Sequence, residues 1–197
     1  MSSIIDMLTS SLNDDAVAAI GQQIGKDSAA TKTAINSALP MLMGALQKSA
    51  ERDSGEGLAQ ALAQKHDGGI LGNVAGFLKQ DDGNDGAGIL RHILGSKQGV
   101  AESALQATAG VDKDQASNLL SKLAPLVLGA VGKAKAESNA RGVDLTRMLE
   151  RETQGIEERS PGAMSALSGL LDADGDGDTD LGDLLKLGSG KLGGLFR

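Results

Sequence analysis

The sequence predicts an all-α fold, a helical bundle made of two duplicated helical units. Three observations lead there. Aromatic residues are 1% of the chain, with Phe77 and Phe196 the only two and no Trp or Tyr. The core of this 197-residue chain must then come from Leu, Ile, Val, Met and Ala, which suit close helix packing better than sheets. Apolar residues recur at helical spacing between capping residues and glycines. A long stretch of the chain also matches itself 85 positions downstream without a gap.

The elements follow in order. A first helix is expected from about Ser3 to Leu12. Asn13 can cap a second through Ile20, closed by Gly25. Asp27 caps a longer helix with Ala34, Ala38, Leu42 and Leu46 at helical intervals. Helices around 58–64 and 70–79, an Asp/Gly loop over 81–88 and a helix at 89–94 come next. The stretch 100–107 reads as a helix ending at Gly110, and Asp112 with Gln115 as a capping box. The helix it opens carries Leu119, Leu123, Leu126 and Ala130. Helices over 143–152 and from Ser160-Pro161 to Leu171, an aspartate loop and a helix over 181–187 complete the reading.

The 85-residue offset places Gly25 and Asp27 on Gly110 and Asp112. It also places Pro40, Gly44, Ala45 and Lys48 on Pro125, Gly129, Ala130 and Lys133, and Gly57 on Gly142. Two of only three prolines therefore occupy equivalent places. Because proline lacks an amide hydrogen, each should mark a kink or the first turn of a new helix. The chain divides into an N-terminal helical segment over 1–12, a first repeat over 13–97, a second over 98–188 and a tail over 189–197.

Gly-Ile-Leu-Arg-His-Ile-Leu-Gly at 88–95 and Leu-Ala-Pro-Leu-Val-Leu-Gly-Ala-Val at 123–131 resemble the YidB-like family of bacterial proteins, over roughly residues 30–135. The resemblance implies an all-helical bundle of bacterial origin and no particular activity. The fold of that family has been likened to helix-turn-helix domains.

The most specific chemistry lies at 172–183. Net charge is −7, and six aspartates fall in that segment with no base among them, leaving 20 acids against 19 bases elsewhere. An EF-hand loop supplies oxygen ligands from positions 1, 3, 5, 7, 9 and 12, with glycine at 6 for the sharp turn. Here these are Asp172, Asp174, Asp176, the Asp178 carbonyl, Asp180 and Asp183, around Gly177. Aspartate at position 12 has a shorter arm than the usual glutamate, as in dockerin-type loops. Thr179 at position 8 replaces the usual aliphatic residue, so pairing with a second hand is not expected. Calcium is the expected ion, with magnesium possible, because magnesium prefers to keep several waters. The upstream stretch 81–92 has a glycine and two acids at matching spacing, and His92 where position 12 would fall. It reads as a plain turn, with a weak metal site as the alternative.

His66 and His92 are the only histidines. His66 beside Asp67 could act as a base, but no serine or threonine stands near it as a partner. His92, between Leu90 and Ile93, reads as a packed or capping residue. Cysteine is absent, which removes disulfides, thiol catalysis and thiolate metal sites. No phosphate-binding loop, dinucleotide fingerprint or zinc-protease motif is present. The expected function is therefore non-enzymatic calcium binding, structural or sensing. The alternative is a self-assembling or partner-binding scaffold in which the metal is purely structural. A helix-turn-helix-like nucleic-acid binder is disfavoured by the acidic charge. The Gly/Leu-rich tail could dock on the core or on another subunit. The longest apolar runs are about half the ~20 residues of a membrane span, and the start of the chain carries no basic segment followed by a long apolar one. The expected setting is cytoplasmic, with secretion without a cleaved signal left open.

Overall fold

The computed structural model describes residues 3–159. The helices are α1 (Ile4–Ser11), α2 (Asp14–Ile24), α3 (Ser28–Glu51), α4 (Glu56–Lys65), α5 (Val74–Gln80), α6 (Asn84–Ile93), α7 (Gln98–Ala109), α8 (Lys113–Ser138) and α9 (Gly142–Arg159). Short 3₁₀ turns at Gly69–Asn73 and Gly95–Lys97 lead into α5 and α7. Among the described residues there is no strand.

Local chemistry sets most of the boundaries. The Asn13 side chain accepts from the Ala16 amide at 2.9 Å, and Asp27 from the Ala30 amide at 2.8 Å. Both halves of the capping box at α8 form: Asp112 accepts from the Gln115 amide and Gln115 accepts from the Asp112 amide. α1 is capped from outside itself. The Glu152 carboxylate on α9 accepts from the Ser3 hydroxyl at 2.7 Å and the Ile4 amide at 2.9 Å.

α3 and α8, the two longest helices, form the centre and pack on each other. Leu42, Met43 and Leu46 from α3 and Leu119, Leu120, Leu123 and Leu126 from α8 are all essentially inaccessible. Around this pair α2 packs on α8 and α7 on α3, while α4 packs on α8 and α9 on α3. α4 and α9 also touch each other. Exchanging α2 with α7, α3 with α8 and α4 with α9 turns these pairings into themselves.

The backbone carries the same correspondence. Gly25 and Gly110 close α2 and α7 in left-handed conformations, φ 66° and 63°, where a Cβ would be strained. The only non-glycine residues with positive φ among those described are Ser54 (58°) and Asn139 (56°), which are 85 positions apart. Behind them the Gly55 amide donates to the Ala50 carbonyl and the Ala140 amide to the Lys135 carbonyl, again an equivalent pair at that offset.

Pro40 and Pro125 lie inside α3 and α8, so neither opens a new helix. Each leaves the carbonyl four residues back without its helical donor. For Pro125 that carbonyl is Ser121, and Gly86 of α6 lies against it: a Cβ on Gly86 would fall 1.7 Å from the Ser121 oxygen. The His66 carbonyl approaches Gly132 of α8 equally closely. Contacts this close bring carbonyl oxygens onto Cα hydrogens, a weak but favourable interaction. The glycine requirement here comes from packing.

Two elements are longer than the sequence suggests. α6 begins at Asn84, because the Asp82 carboxylate accepts from the Asn84 amide and Gly86 serves helix packing. α9 continues to Arg159 because Thr153 fills the apolar register of Leu145, Leu149 and Ile156. The Thr153 hydroxyl is bonded to the Leu149 carbonyl and to the Gln47 side chain.

Candidate functional site

The calcium-loop residues Asp172, Asp174, Asp176, Asp178, Asp180 and Asp183 lie outside the described residues, as do the tail and the stretch from Ser160 to Leu171. Upstream, residues 81–92 do not form a twelve-residue ligand loop. Asp81–Gly83 is a short turn and 84–92 is helical. Its acids are engaged locally. Asp82 accepts from the backbone and side-chain nitrogens of Asn84, which hold its carboxyl below the ordinary carboxylate range. Asp81 faces Lys122 of α8, with Nζ 2.9 Å from Oδ2 and bonded also to the Asp81 carbonyl. Both side chains are buried, at 7% and 5% exposure. The ion pair fixes the α5–α6 turn to the central helix, and nothing in the sequence marked Lys122 for that role. Among the described residues no three His, Asp or Glu side chains converge as metal ligands would.

The two histidines, 26 apart in sequence, both line one cleft of about 430 Å³. Its floor includes Leu58 and Ala61 of α4, Ile89 and Ile93 of α6 and Leu128 of α8, and Lys65, His66, Asp85 and His92 bring charge or polarity to it. α4 delivers His66 at its C-terminal boundary. α6 delivers Asp85 and His92, two turns apart on one face. Asp53 borders the cleft too, but its carboxylate accepts from the Gly55 and Gly57 amides at the start of α4.

His66 is buried, and burial pushes its imidazole below the usual 6.5; Asp85 opposes this and Lys65 adds to it. A neutral imidazole can accept a proton beside a carboxylate. His92 is exposed, so it is not packed into the core. The sequence reading put Asp85 in a loop, so its shared face with His92 emerged only with the longer α6. Their place in one cleft with His66 required the tertiary fold.

No helix among the described residues is long and apolar enough to cross a membrane. Residues 6–134 match the family described as bacterial protein of unknown function (DUF937). No curated protein and no solved structure matches the chain.

Proposed function

We propose, for a chain that belongs to the DUF937 family of bacterial proteins, a non-enzymatic role in calcium binding, with the ion held at residues 172–183. The observation that carries this reading is the spacing of Asp172, Asp174, Asp176, Asp178, Asp180 and Asp183 around Gly177. That spacing supplies oxygen at every ligand position in the one frame that also provides the turning glycine. Six carboxylates within twelve residues repel one another without a cation. The reading includes magnesium as a weaker occupant and a cytoplasmic setting.

The fold side of the proposal is a duplication, with units over 13–97 and 98–188. The ungapped offset supports it, as do the paired positive-φ residues Ser54 and Asn139 and the exchangeable helix contacts. The YidB-like motifs at 88–95 and 123–131 support a finer placement within the family.

Calcium that binds the folded chain stabilises it by mass action, about 2.7 kcal/mol at a hundredfold excess over Kd. Thermal melting of metal-stripped protein, with and without calcium, tests the proposal. The melting point should rise with calcium, and magnesium should do less. The paired substitution Asp172→Ala and Asp176→Ala should remove the shift without lowering the metal-free melting point. An unchanged melting point in the wild-type chain would count against the proposal.

A further inference from the structure

A groove of about 270 Å³ opens on α3, lined by Ile5, Asn36, Leu39, Pro40, Ile156 and Arg159 among others. Its centre, Asn36–Pro40, is the 85-offset counterpart of Ser121–Pro125 on α8. There α6 lies across the helix, with Gly86 against the carbonyl that Pro125 leaves without a helical donor. The counterpart on α3 is less covered. Asn36 is exposed where Ser121 is half-buried, Ser37 is half-buried where Lys122 is buried, and Thr33 is exposed where Asn118 is half-buried.

We propose that residues Leu181–Leu187 of this chain occupy the α3 groove at Asn36–Pro40, as α6 occupies the matching face of α8. The inference rests on the duplication reading, with an insertion in the second repeat. At the ungapped offset α6 falls on residues 169–178, and the matching short helix expected from the sequence comes after the aspartate loop. Arg159, the last described residue, is itself on the rim of the groove, and 38 residues follow it. Eighteen residues separate α4 from α6, and 21 separate Arg159 from Leu181, so the two connections are of similar length in sequence. Asp82-Gly83 directly precedes α6, and Asp176-Gly177 stands three residues ahead of the proposed segment. α6 buries Ile89, Leu90 and Ile93, and the segment offers Leu181, Leu184, Leu185 and Leu187 for the same purpose. The acidic loop runs into the first turn of the docked segment and shares Asp183 with it, so an ion bound there fixes its approach to α3.

The absence of native cysteine gives a clean test. Asn36→Cys places a thiol in the groove, and Lys48→Cys, on an exposed part of the same helix, is the control. Alkylation rates are compared in the full chain, in a chain ending at 171 and in a full chain carrying Leu184→Asp and Leu187→Asp. The Asn36→Cys thiol should react about tenfold more slowly in the unaltered full chain, as for an occupant detached a tenth of the time. Truncation and the two aspartates should each restore the rate, with unchanged helical circular dichroism. Equal rates in all three chains would overturn the docking. Protection of Lys48→Cys alone would show that the segment docks away from the repeat-related face, which faults the duplication-based placement. Protection that grows with protein concentration would make the occupant a second copy and overturn the proposal. Running each rate with calcium and with a chelator separates this inference from the metal reading, because protection without calcium dependence leaves docking intact.

Discussion

The turn before α6 shows how much one residue can carry. Lys122 has its ammonium within a buried ion pair to Asp81, and removing one partner of such a pair strands the other charge away from water. Asp81→Ala should therefore destabilise the protein by about 3 kcal/mol in urea unfolding. Asp14→Ala, at an exposed pair with Lys32, should leave the unfolding midpoint unchanged within error. His66 predicts a pH dependence. Its folded-state pKa lies below 6.5 because burial favours the neutral ring, so the unfolded chain binds its proton first as pH falls. The contribution is fully present above pH 6.5 and is lost on acidification through the lower folded-state value. Lys65, Asp67, Asp85 and His92 border the same clefts, so the signal is read as a difference. His66→Gln should flatten the fall in stability between neutral and mildly acidic pH; an unchanged slope would assign the fall to other groups.

Helix boundaries were legible where their cause is local. Asn13, Asp27 and the Asp112–Gln115 box cap the helices they were expected to cap, because capping needs only three or four neighbouring residues. The 81–88 stretch was misread for the opposite reason. Gly86 looks like a turn residue, but its small size answers to the Ser121 carbonyl on a helix 35 residues away in sequence. The cleft that His66 and His92 both line was hidden in the same way, since two separate helices create it. The distinction can be measured. Gly86→Ala should cost about 3 kcal/mol by forcing α6 away from α8. Gly155→Ala, inside α9 with nothing near its missing Cβ, should stabilise the chain by about 0.5–1 kcal/mol. Similar effects from both would mean that α6 is not held at close range.

At the scale of the molecule, α3 and α8 make a shared core and their partners are arranged around it in exchangeable pairs. The all-helical class followed from a composition almost without aromatics, since aliphatic residues and alanine favour close helix contacts. On the proposed reading, this helical body carries the acidic segment 172–183 that takes up calcium. The affinity would also speak to setting: cytosolic sensors bind at about 10⁻⁷–10⁻⁵ M and extracellular modules at about 10⁻⁴–10⁻³ M. Titration calorimetry of the metal-stripped full chain tests the claim most directly. One calcium ion per chain should bind, with the heat abolished by Asp172→Ala and Asp176→Ala together. Absence of heat in the wild-type chain, or heat retained in the double variant, would contradict it.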